Sequence, residues 1–168
     1  MTATPNTSPP PDFARASVHH YRSAVLATGE QWQISADHLA GLAAECAIKA
    51  ILITFLGSEL KPNHMPHHPE MKFPDPKRNE KRWDGQHGHL PALWEQLTAV
   101  AHRRKDAAVG ILFTQLIWQN PFADWEVSDR YCDGSALTQQ HVDRHLKAAH
   151  DLIAAHEQAR ILGTGTLA

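Results

Sequence analysis

Residues 35–56, SADHLAGLAAECAIKAILITFL, read as a helix that is small or apolar on nearly every side, yet they carry Asp37, His38, Glu45 and Lys49. A helix apolar all round has to be wrapped by others, so this stretch is expected to be the central post of a helical domain. Ser35 is the expected N-cap and Gly57 the expected stop. Charges on such a post are costly unless paired, and Glu45 and Lys49 have the i, i+4 spacing that pairs them.

Working outward, the Pro-, Thr- and Ser-rich residues 1–12 lack an apolar pattern and read as a disordered tail. A helix over about 14–28 would face Val18, Tyr21, Val25 and Leu26 inward and end at Gly29. Residues 58–88 hold most of the prolines and many charges with little periodicity, and a connection this long is usually functional or disordered. Order resumes at His89, with Pro91 early in a helix whose Leu90, Leu93, Trp94 and Leu97 share a face, ending near Arg104. The next helix, about 105–119, packs Val109, Leu112, Phe113, Leu116 and Ile117. A loop, NPFADWEVSDRYCDGS, opens on Asn-Pro and closes with Asp-Gly. The last helix runs from Thr138, a plausible N-cap, to about Leu162, with Val142, Leu146, Ala149, Leu152 and Ile153 inward. Residues 163–168 form a flexible tail. No strand pattern and no repeat is visible, so the expected fold is all-α: one domain over 13–162, an up-and-down bundle of four to five helices.

Composition sets further bounds. The chain has 168 residues, 42% of them hydrophobic, which fits one core. A formal charge of -2 gives no field strong enough to imply nucleic acid, and it argues against an anionic membrane surface. The 13 histidines would make the protein cationic at modestly lower pH. Charges interrupt residues 35–56, so no uninterrupted apolar run reaches the roughly 18 residues of a membrane span. MTATPNTSPPPDF has no basic region followed by an apolar core and is no secretory signal. Cys46 lies on the buried helix and Cys132 in a loop, so no bridge is expected and a reducing cytoplasm is the default.

Three segments in order resemble a known family. HLAGLAAECAIKAIL resembles the AxExALKALL signature of HEPN domains, the helical nucleotide-binding domains of prokaryotes and higher eukaryotes. GHLPALWEQL is similar to that family's xHxLxxL helix opening. DRYCDGSALTQQHVDRHLKAAHDLIAAH resembles its RYxxxxxxxTxxxAxxxLxxAxxIL ending. The likeness covers roughly residues 16–157. It implies a helical bundle, often a homodimer, and no cofactor. Family members include metal-independent ribonucleases, toxins paired with nucleotidyltransferase antitoxins, and non-catalytic modules that bind nucleotide, RNA or a partner protein, so fold alone does not choose the function.

Catalytic members carry an Arg followed after four to six residues by a His, which supply a cation for the phosphorane and a base for the ribose hydroxyl. Arg15 to His20, Arg82 to His87 and Arg144 to His150 fit that spacing, and only Arg144 and His150 lie on the last helix, where the resemblance puts the motif. At about 100° per residue the two stand about 120° apart, so they share no face unless a dimer partner gathers them. His141 and His145 share a face better, beside the core stripe. The resemblance also marks Arg130 and Tyr131, either as a phosphate fork or as an Arg paired with Asp124, Glu126 or Asp129 beside a Tyr that closes the bundle. His89 matches the family's helix-opening histidine and is expected to cap a helix or orient a loop. His64, His67, His68, His87 and His89 offer a third reading, metal binding by a folded-back loop, against the plainer reading of a solvated loop. Trp94 and Trp118 fall on apolar faces, Trp125 anchors its loop on the bundle, and Trp83 is the candidate stacking platform.

Overall fold

In the computed structural model, residues 9–73, 85–103 and 108–164 are described. Five helices dominate: α1 (Phe13–Gly29), α2 (Gln33–Phe55), α3 (Ala92–Arg103), α4 (Ala108–Leu116) and α5 (Gln139–Thr164). The chain is therefore all-α in character. A two-residue antiparallel pair, β1 (Glu59–Leu60) and β2 (Pro66–His67), and a 3-10 turn at Val127–Tyr131 complete it. The expectation of no strand at all is corrected by that pair. It is too short to show a period-2 pattern in sequence, and the Lys61 amide bonded to the Met65 carbonyl holds its turn.

α2 is the central post. It contacts α1, α3 and α5, and buried residues occur on every side of it, from Ala36 and Asp37 through Ile48 to Leu52. By length and hydropathy α2 could cross a membrane, but here its apolar surface is satisfied by the other helices. The helix begins at Gln33, not at Ser35. The Ala36 amide bonds the Trp32 carbonyl at 2.8 Å and no side chain caps the end, so Ser35 lies in the first turn. Gly57 ends α2 as expected, with φ of 80°, and the Ser58 amide reaches back to the Leu52 carbonyl.

α1 is capped by Asp12, which accepts from the Arg15 amide. Its buried face is made of Ser17, Ala24 and Ala27, with Tyr21 packed against the core. Small residues let α1 lie close against the alanine-rich α2. Val25 and Leu26 are exposed, against expectation; Leu26 stands about 200° round from Ala24 and must point away. Trp94 is buried as expected, but Trp118 is 91% exposed. α4 ends at Leu116, so the helical spacing that placed Trp118 inside no longer applies there.

The remaining core comes from Leu93 and Leu97 of α3, Phe113 and Ile117 at α4, and Ala149 and Leu152 of α5. The loop that follows α4 adds Phe122 and Trp125, both fully buried. Each such side chain stabilises by about 1.5–3 kcal/mol. Thr138 caps α5: its hydroxyl accepts from the His141 amide, while its own amide donates to the His141 ring. Ala148, Ala155 and Ala159, which read in sequence as a second semi-apolar flank of the last helix open to a partner copy, pack instead against the chain's own core. Trp83, Arg82, the 58–88 connection between 74 and 84, and most of both tails lie outside the described residues.

Candidate functional site

Two buried polar junctions sit on α2, and each pulls a distant part of the chain onto it. At the first, Lys49 and His89 both donate to Oε1 of Glu45, at 2.7 and 2.8 Å, and the Leu90 amide approaches Oε2 at 3.4 Å. Burial alone would raise the Glu45 carboxyl. The His89 hydrogen bond and the Lys49 charge outweigh it and hold the group below its ordinary value. Glu45 and Lys49 form the internal pair their spacing implies, with His89 as a third member that ties the start of α3 to α2. Cys46 beside them is pushed up to about 11 by burial and by Glu45, which leaves its thiol unreactive.

The second junction is at the α2–α5 crossing. His145 is 2% exposed, and its Nδ1 donates to Oδ1 of Asp37 at 2.6 Å. Its other nitrogen lies 3.5 Å from Asp124 Oδ1 and 3.4 Å from the Arg144 guanidinium. The ring stacks on Phe122, with centroids 4.8 Å apart. Asp124 accepts two 2.6 Å bonds from one guanidinium nitrogen of Arg144, and His141 stands 3.7 Å from its Oδ2. Burial would raise Asp124, but the Arg144 hydrogen bonds more than compensate and keep it ionised. The result is a relay from the core post to the surface: Asp37, His145, Asp124, Arg144.

Beside this relay opens a cavity of about 390 Å³ between α2, the 3-10 turn and the start of α5. Its apolar wall is Ile34, Trp125, Ala136 and Leu137. Trp125 donates its indole N–H to the Asp37 carbonyl and stacks on His38. Burial and the nearby Arg130 charge hold the His38 ring below its ordinary value, and its Nδ1 is buried and unpartnered among the described residues. The rim is acidic: Asp37, Asp124, Glu126, Asp129 and Asp133 face one Arg130.

The sequence-derived candidates fall out unevenly. Arg144 and His150 share no contact. Arg144 is committed to Asp124, while the exposed His150 lies against Tyr21 and Asp151. Arg130 pairs with none of Asp124, Glu126 and Asp129. It donates to the Tyr131 hydroxyl at 2.6 Å and lies over that ring. Tyr131 is 77% exposed and does not close the bundle; both residues sit in a 3-10 turn with no buried member. His145 is in the relay, but its partner Asp37 was not anticipated. A signal was present: an acid on the most apolar helix needs a partner, and His145 borders the inward stripe of the last helix.

The histidines of the connection separate in space. His87 is buried; it donates from Nδ1 to Oε1 of Gln96 at 3.2 Å and accepts from the Ser58 hydroxyl at 2.8 Å. His67 lies against Glu59, and His68 accepts from the Glu70 amide. Among the described residues no cluster of three or more His, Cys, Asp or Glu side chains is placed to hold a metal ion. No family model, no curated protein and no solved structure matches this chain.

Proposed function

We propose that the chain is a HEPN-like helical module that binds nucleotide, RNA or a partner protein and is not a strong catalyst. The observation that carries this is the state of Arg144. Its charge is neutralised by Asp124, and it stands apart from His150, so the couple needed for metal-independent RNA cleavage is not assembled within one chain. His145 does not replace it as a base, since both its ring nitrogens already face carboxylates or Arg144. The cavity beside the relay is the binding site. Its acidic rim disfavours a bare phosphate there and suits a group rich in hydrogen-bond donors, such as the amino edge of a nucleobase or a basic side chain of a partner.

The test is a titration of the full chain, followed by Trp fluorescence and thermal shift, with nucleosides, short single-stranded RNA and an arginine-rich peptide. Ala136→Trp, at the exposed mouth of the cavity, should weaken binding by about tenfold or more without unfolding the protein, the loss of roughly 1.4 kcal/mol. A variant that binds as well as wild type would remove the cavity from the reading.

The second reading is a ribonuclease that pairs Arg144 and His150 across a homodimer, as in toxin–antitoxin members of the family whose partner is a nucleotidyltransferase. The exposure of His150 on α5 favours it. RNA incubated without added metal should then be cut by wild type and not by His150→Ala, and equal rates would end this reading. Both readings expect a homodimer, and a sedimentation run showing monomer at micromolar concentration would count against them.

A further inference from the structure

The connection between α2 and α3 is joined to itself by backbone bonds and to the helices by one imidazole. The His68 amide donates to the Gly85 carbonyl at 2.7 Å, and the His87 amide to the Pro66 carbonyl at 2.9 Å. His67 bridges Gln86. These bonds hold the β1–β2 turn against residues 85–88. A Cβ at Gly85 would overlap the His68 carbonyl, so the two backbones meet there with no side chain between them. His87 then fastens this patch to the helical body. It is 1% exposed, and its ring reaches Ser58 just past α2, Gln96 on α3, and the Phe73 ring at 5.3 Å. Phe73 in turn belongs to the main apolar core.

The hydrogen bonds fix this ring in one neutral form. The Gly88 amide donates to Oε1 of Gln96 at 3.1 Å, so that atom is an acceptor. Nδ1 of His87, 3.2 Å from the same atom, must carry the ring proton. Nε2 is left bare and accepts from the Ser58 hydroxyl at 2.8 Å. A second proton would turn Nε2 into a donor facing a donor. It would also place a charge that no carboxylate among the described residues offsets. Lys49 of α2, and His67 and His68 when protonated, oppose that charge. Glu45 of α2 is engaged by Lys49 and His89, Glu59 of β1 faces His67, and Glu95 of α3 accepts from Asn120. A buried imidazolium so placed is strongly disfavoured.

We propose that residues 58–73 and 85–88 form an acid-released strap: proton uptake by His87 frees them from α2 and α3 while the helices stay folded. Well above pH 6.5 the ring is neutral whether the strap is closed or open, and the strap is held. Burial lowers the ring in the closed strap from 6.5 to about 4, against the pull of Gln96 and with His68, Lys49 and His67 adding to the effect. Once open, the ring regains its ordinary value. The open form therefore binds the proton more tightly, and closure is lost as pH falls from 6.5 toward 4. Release uncovers the Phe73 ring and its seat on the core. No residue of the strap lines the acidic cavity, so the switch is independent of what fills that site.

The test is amide hydrogen exchange of the full chain at about pH 7.5 and about pH 5, corrected for the intrinsic pH dependence of exchange. Protection of the His68 and His87 amides should fall about 30-fold, the ratio that ring values of 6.5 and about 4 impose near pH 5. The Ile48 and Leu52 amides of α2 should keep theirs. Equal losses at all four amides would mean that the whole domain unfolds, and unchanged protection at His68 and His87 would mean that the strap ignores acid. Either result overturns the proposal. His87→Gln, which cannot take up the proton, should hold the strap's protection level between the two pH values. If that variant is open already at neutral pH, the imidazole signals of the wild type decide. A His87 ring that gains its proton as the strap amides lose protection supports the switch; one protonated while those amides stay protected overturns it.

Discussion

Glu45 ties three segments of the interior together: one carboxylate accepts from Lys49, from His89 and from the Leu90 amide. Glu45→Gln leaves the Lys49 ammonium buried without its counter-charge, and should cost about 3–5 kcal/mol in denaturant unfolding. Glu45→Gln with Lys49→Met should recover most of that loss, because the stranded charge is gone. If the single and double variants unfold at the same midpoint, the pair does not act as a unit. His87 supplies a second test. Burial lowers it from 6.5 to about 4, against the opposing pull of Gln96 and with the charges of His68, Lys49 and His67 adding to the effect. Between those two values the unfolded chain holds the proton and the folded chain refuses it. This contribution is therefore intact above pH 6.5 and is lost as pH falls toward 4, a change of about 3 kcal/mol at most. His87→Gln should flatten the stability–pH curve over that interval; an unchanged slope would place the titrating group elsewhere.

Elements here are positioned by close approach rather than by large apolar stripes. Gly41 of α2 is where the loop after α4 touches the post, and a Cβ at that position would overlap the Trp125 indole. Gly41→Ala should therefore destabilise by about 2–3 kcal/mol and displace Trp125, which would open the wall of the cavity. A near-neutral result would mean that the loop can slide without loss. By contrast, Trp118→Ser, in the solvated turn just past the end of α4, should stay within about 0.5 kcal/mol of wild type. Periodicity located all five helices, because α2, α3 and α5 repeat their apolar residues at helical spacing. It misjudged side chains at the ends. Leu26 and Trp118 look like core in sequence, but α1 buries its alanines instead, and Trp118 falls past the end of its helix. The start of α2 was also displaced, since the Trp32 carbonyl opens the helix before the Ser35 hydroxyl can cap it.

At the scale of the whole molecule, one apolar helix is sheathed by α1, α3 and α5, and its acids are the points where distant segments are tied to it. Asp37 and His145 are 108 positions apart in sequence. Asp37→Ala leaves a buried imidazole without its carboxylate and should cost about 3 kcal/mol or more, and the same loss in His145→Ala with no further loss in the double variant would show that they are one interaction. The sequence by itself determined the helical class, the central post and the Glu45–Lys49 pair, because 3.6-residue periodicity and i, i+4 spacing are local properties written directly in residue order. Only the tertiary structure decided that Arg144 meets Asp124 and not His150, and that Asp37 finds His145. Those contacts depend on how α5 is rotated and set against α2 and α3, and that is fixed by packing across more than a hundred residues, which no local spacing encodes.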